Sequence, residues 1–192
     1  YARGASDMKS GLAAMVYALC EYKKSGRPVP RTIHFLGTCD EEMGGIGARE
    51  ILKEVPETSI GTLLIGEPPG CRLGVAQKGC LWLEIEAHGK TSHGAYPQEG
   101  CNAVEQAMAL TGEIETYVKS FTHPVLGAST AQVTQISGGV APNMTPDTCR
   151  ILMDIRMTPG LTSQMVVGQA EAFAAARSVT SEEKFRVSCR IV

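Results

Sequence analysis

The chain has 192 residues, 43% of them hydrophobic and 20% charged, with a formal net charge of −2. Such a length and composition fit one large or two small soluble globular domains with a sizeable core. The charge gives no electrostatic case for nucleic acid or an anionic membrane, the aromatic fraction is only 5%, and no apolar run is long enough to span a bilayer. From Met8 to about Lys24, Leu12, Met15, Val16 and Leu19 recur at helical spacing, with Asp7 as the expected N-cap and Lys23-Lys24 suiting the C-terminus. Gly26-Arg27-Pro28-Val29-Pro30 breaks that helix. Thr32–Leu36 and Thr62–Ile65 read as buried strands, with a short helix through Ile46, Ile51, Leu52 and Val55 between them. Strands alternating with helices predict a parallel, doubly wound α/β layer.

The pattern changes near Val75. From Cys80 to His88, Leu81, Leu83, Ile85 and Ala87 point one way and Trp82, Glu84, Glu86 and His88 the other, as in a half-exposed antiparallel strand. Asn102, with Glu105 three residues on, opens a helix whose apolar stripe is Ala103, Ala107, Leu110, Ile114 and Val118. Strands follow over about Thr130–Ile136 and over Cys149–Met157, the latter burying Cys149, Ile151, Met153, Ile155 and Met157. A helix is expected from Ser163 to Arg177, and Phe185, Val187, Cys189 and Ile191 alternate to the end. The order β-α-β-β-α-β predicts a ferredoxin-like sandwich. Two units are therefore expected, residues 1–75 and 76–192. The seven cysteines include no C-x-x-C pair and read as reduced, packed thiols of a cytoplasmic protein rather than a disulfide framework.

Four carboxylates carry the chemistry: Asp7 in Asp7-Met8-Lys9-Ser10-Gly11, Glu41 and Glu42 before Gly44-Gly45, and Glu67 in Gly66-Glu67-Pro68. Alone, Asp7 reads as a helix cap, the glutamate pair as charge complementing a helix N-terminus, and Glu67 as a loop residue. In order, each at the end of an expected strand, they form a much more specific combination. Side chains at such strand ends converge where open α/β sheets bind ligands. Four converging carboxylates repel one another unless cations sit among them, and two divalent metals are the simplest answer.

With these motifs the chain resembles the metallopeptidase family of acetylornithine deacetylase, succinyl-diaminopimelate desuccinylase, aminoacylase and carboxypeptidase G, over essentially its whole length. The resemblance implies that Asp7 bridges two metals, with a cis peptide after it. It makes Glu41 the general base, and Glu42 and Glu67 ligands of the separate metals. Residues 76–192 correspond to the inserted lid and dimerisation domain. Within them, Thr91-Ser92-His93-Gly94-Ala95-Tyr96-Pro97 resembles the segment whose histidine enters the partner subunit's site and donates to the developing oxyanion. Asn143, in Gly139-Val140-Ala141-Pro142-Asn143, corresponds to a substrate contact. Arg156, expected on the polar face of its strand with Asp154 and Arg150, corresponds to the guanidinium that grips the substrate carboxylate. His34, His88 and His123 read as surface or strand residues with no such role.

In the family each metal also takes one histidine, from an H-x-D motif before the bridging aspartate and from near the C-terminus. Neither motif is in this chain, which starts at Tyr1 rather than Met. An internal piece of a longer enzyme is therefore expected, inactive by itself. The expected activity of the parent is cleavage of the amide of an N-acyl amino acid or small peptide, with two divalent metals (zinc, or cobalt or manganese) and a homodimer formed through the lid. Neither nucleic acid nor membrane is an expected partner. The alternative is a non-catalytic dimerising or ligand-binding module of the same descent. An aminopeptidase ranks lower, because no acidic group stands out to bind a peptide amino terminus.

Overall fold

The computed structural model describes residues 2–56, 59–180 and 186–191. The chain divides into two compact units, Tyr1–Leu73 and Gly74–Val192.

The first unit holds two helices, α1 (Ser10–Lys24) and α2 (Ile46–Glu54). The predicted capping of α1 by Asp7 is not what is found. The chain enters α1 through an irregular turn, Ala5–Lys9, in which Asp7 and Met8 have non-helical backbone angles, and Lys9 takes the N-cap position. The Asp7–Met8 peptide is cis, as the resemblance implies. Along α1 the half-buried face is Met15, Leu19 and Tyr22, while Leu12 and Val16 are exposed. The two expected buried strands are corrected as well. Thr32–Leu36 and Thr62–Ile65 run without a ladder, and Leu63 and Leu64 are 67% and 72% exposed. A parallel strand is stabilised by its neighbours' backbone groups. Within this unit no described segment pairs with either run, so each stays outside a sheet.

The second unit follows the predicted order. Its main strands are β1 (Gly79–His88), β4 (Thr130–Gly138), β5 (Thr148–Met157) and β6 (Arg186–Ile191), with helices α3 (Ala103–Lys119) and α4 (Ser163–Thr180). A two-residue hairpin, β2 (Thr122–His123) with β3 (Gly127–Ala128), links α3 to β4. The sheet order is β4-β5-β1-β6 with antiparallel pairing throughout, which is ferredoxin-like. Asn102 caps α3, its Oδ1 accepting from the backbone N–H of Val104 (3.0 Å) and Glu105 (3.3 Å). All five predicted stripe residues of α3 are buried, packed on Leu81, Leu83, Ile85 and Ala87 of β1 and Cys149, Ile151, Met153 and Ile155 of β5. Period-2 alternation against a period-3.6 stripe explains why one face of this sheet is dry. Met157 is only half-buried, and a register shift between Val133 and Gln135 marks a bulge in β4.

Phe185, part of the expected final strand, lies outside the described residues. Of the seven cysteines, only Cys101 and Cys149 are buried and Cys189 half-buried. Cys20, Cys39, Cys71 and Cys80 are exposed rather than packed as expected.

Candidate active site

In the first unit, folding brings Asp7, Glu41 and Glu42 within electrostatic reach of Glu67. Two glycines make this possible. A Cβ on Gly11, in the first turn of α1, would collide with the carbonyl oxygen of Gly66, and a Cβ on Gly66 would lie 2.7 Å from Met15 Cε and 2.8 Å from Met8 Cε. The Gly66-Glu67 segment therefore rests directly on the start of α1, beside Asp7. Glu41 and Glu42 sit in a single turn, Glu41–Met43, closed by the Gly45 N–H donating to the Asp40 carbonyl at 2.7 Å. Asp40 takes left-handed backbone angles to enter that turn.

The electrostatic result is legible at Glu67. Loss of hydration pushes its carboxyl above the usual range, and the charges of Asp7 and Glu41, a hydrogen bond shared with Asp7 and the charge of Glu42 push it the same way. Among the described residues, no group of three or more His, Cys, Asp or Glu side chains has the arrangement of a metal site. The oxygen-rich donor set still suits hard or borderline divalent ions.

In the second unit the candidate residues fall at two places. His93 and Asn143 lie on loops joined by an isolated antiparallel bridge, His93 with Met144. The Gly94 N–H donates to the Asn143 carbonyl at 2.8 Å, and the Thr145 N–H to the Ser92 carbonyl at 2.9 Å. His93 is exposed, and its Nδ1 accepts from the Ala95 N–H at 3.1 Å. In a neutral imidazole that bond leaves the proton on Nε2, so Nε2 is the donor.

Arg156 lies on the outer face of the sheet, as predicted. Its Nε and Nη2 donate to the two carboxylate oxygens of Asp154 at 2.8 and 3.0 Å, and Trp82 Nε1 donates to the same carboxylate at 3.1 Å. These bonds hold Asp154 below the usual carboxylate range, the Arg156 hydrogen bond first. The fork to Asp154 engages Nε and Nη2, and the Arg156 side chain is half-exposed. Of the remaining histidines, His88 stands 3.6 Å from Glu86, and His123 accepts backbone N–H groups of its own turn.

Sequence reasoning gave little weight to Gly11 and Gly66, whose presence in the Asp-Met-Lys-Ser-Gly and Gly-Glu-Pro motifs was the available signal. It also missed the pairing of Asp154 with Arg156, although alternation had placed both on one face.

Residues 75–182 match the family model described as the peptidase dimerisation domain, M20_dimer. The chain is 32% identical over 145 residues to a peptidase M20 domain-containing protein of Schizosaccharomyces pombe, covering 75% of this chain and 36% of that protein. It is 30% identical over 204 residues to acetylornithine deacetylase of Myxococcus xanthus, covering 100% of this chain and 50% of that protein. Among solved structures, aminopeptidase PepT from Bacillus cereus shares the fold at 21% identity, with a TM-score of 0.54, over 97% of this chain and 48% of that one. The α+β sandwich and the matched region define a module of the peptidase dimerisation type. The chain belongs to the M20 peptidase family. It spans half or less of the length of these relatives. No helix among the described residues is long and apolar enough to cross a membrane.

Proposed function

We propose that the whole protein is a cytoplasmic two-metal hydrolase that cleaves the amide bond of an N-acyl amino acid or small peptide. Residues 1–75 would supply part of its catalytic domain and residues 76–192 its lid. The observation that supports this reading is the placing of Asp7, Glu41 and Glu42 close enough to Glu67 that, with its loss of hydration, they push its carboxyl above the usual range. Asp7, Glu42 and Glu67 would hold two divalent ions, zinc or else cobalt or manganese. When bound, such ions polarise the amide carbonyl and make water acidic enough to attack it near neutral pH.

The chain's own residues supply the rest. Glu41, left free of metal, takes the proton of the attacking water and returns it to the leaving amine. In a homodimer formed through the lid, His93 of the partner subunit donates from Nε2 to the developing oxyanion, a contact strongest in the transition state. Asn143 orients the acyl group or backbone of the substrate. Arg156 grips its carboxylate. Acetylornithine deacetylase of Myxococcus xanthus and succinyl-diaminopimelate desuccinylase of Paracoccus denitrificans, 29% identical over 197 residues, support an N-acyl amino acid as the substrate class.

The test is metal content and hydrolysis by the full-length protein, with N-acetyl and N-succinyl amino acids as substrates. Two equivalents of metal and chelator-sensitive release of the amino acid are expected. A protein that dimerises, binds no metal and cleaves none of these substrates is instead the non-catalytic module.

A further inference from the structure

An oxyanion donor is effective only when its position is fixed before the substrate arrives. His93 does not meet that requirement through its own ring. The imidazole is exposed, touched within the second unit by the Ala95 N–H and by Tyr96 at a centroid distance of 6.2 Å. Its position is therefore set by the backbone beneath it.

That backbone is clamped from the side of the other loop. Ser92 Oγ and Thr145 Oγ1 are 2.7 Å apart, and Thr91 Oγ1 donates to the Thr145 carbonyl at 2.9 Å. Thr145 is buried, so water is poorly placed to replace a lost partner. A Cβ on Gly100 would come within 2.5 Å of Ser92 Oγ, which shows how closely the hydroxyl is enclosed. The base of the same loop is closed by the reciprocal backbone bonds of Lys90 and Cys101, at 2.9 and 2.8 Å.

We infer that Ser92 and Thr145 are positioning residues for His93, their paired hydroxyls fixing the backbone that carries the imidazole. The inference rests on the oxyanion role of His93 proposed above. The clamp touches no substrate and acts only through His93, so its loss lowers turnover more than ground-state binding.

The experiment uses full-length, metal-loaded protein with an N-acyl amino acid that it hydrolyses. Thr145→Val keeps the volume and removes the hydroxyl. It is expected to lower kcat about tenfold, the equivalent of one part-buried hydrogen bond, with KM within about twofold of the parent. Thr145→Ser is expected to recover most of the loss. Ser92→Ala is expected to cost as much as Thr145→Val, and the double variant no more than either, because all three remove the same bond. In a His93→Ala background, Thr145→Val is expected to have no further effect. Metal content and dimer mass, measured on every variant, separate misfolding from mispositioning, and Ser92→Ala remains available should Thr145→Val fail to fold. A Thr145→Val loss of equal size with and without His93 overturns the clamp, as does unchanged kcat in both Thr145→Val and Ser92→Ala while His93→Ala is impaired. Full turnover by His93→Ala overturns the oxyanion role itself, and the clamp with it.

Discussion

The two units of this chain divide packing from chemistry. In Gly74–Val192, nineteen buried apolar residues among those described form one cluster under a four-stranded sheet, and its candidate residues stand on loops or on the wet face. In Tyr1–Leu73 neither helix has a fully buried residue, yet Asp7, Glu41 and Glu42 stand close enough to Glu67 to help push its carboxyl above the usual range. A sheet closes its core with residues from its own sequence, whereas a site can be assembled by a few backbone contacts between loops and helix ends. The difference is quantitative and open to measurement.

The largest expected effect is chemical and belongs to the first unit. Glu41→Ala is expected to retain the metal content of the full-length protein and to lose about three orders of magnitude in kcat, the usual span for a general base. A variant with normal turnover would remove Glu41 from that role. Next comes packing in the second unit. Leu83 is fully buried in the centre of β1, and Leu83→Ala is expected to cost about 3 kcal/mol in urea unfolding of the 192-residue chain. Leu64→Ala, with the same side chain 72% exposed, is expected to change stability by less than about 0.5 kcal/mol. Equal losses would abolish the contrast between the units.

A third prediction asks whether the site of the first unit hangs on its glycine contact. In Gly11→Ala, the added methyl must push the Gly66 carbonyl away from α1 and carry Glu67 from Asp7. Overpacking of this kind costs about 1–3 kcal/mol. Metal affinity measured by titration calorimetry is expected to fall at least about tenfold, while the unfolding of the second unit is unchanged. Unaltered affinity would show that Glu67 does not depend on that contact.

These contrasts also explain what the sequence disclosed. Alternation in Cys80–His88 and the stripe from Ala103 to Val118 are local periodic signals, and both elements appear with the predicted faces buried. Motif order placed Asp7, Glu41, Glu42 and Glu67 in one candidate site, and the structure sets the first three within electrostatic reach of Glu67 without the arrangement of a metal site among the described residues. Thr32–Leu36 and Thr62–Ile65 were misread because an apolar run encodes a strand only in the presence of a neighbour, and pairing is not a property of the run itself. Asp7 was misread as a cap because the non-helical turn at Ala5–Lys9 has no periodic signature. The exposure of Cys20 and Cys80 was missed for a similar reason: an apolar run does not say which of its members face outward.

The smallest expected effect concerns the wet face of the second unit. Asp154 has its carboxyl held below the ordinary range, chiefly by Arg156. The stabilisation that follows is present above the unfolded-state value and is lost as pH falls through the folded-state value. Its partner guanidinium is half-exposed, which limits the pair to at most about 1 kcal/mol after screening. Stability of the second unit, followed by near-UV circular dichroism of Trp82, is therefore expected to decline below about pH 4. In Asp154→Asn that acid limb should be shallower, while stability near neutral pH is slightly reduced. An unchanged acid limb in Asp154→Asn would mean that the bond from Trp82 and the fork from Arg156 order this face without stabilising the fold, leaving the dry face of the sheet to carry the stability alone.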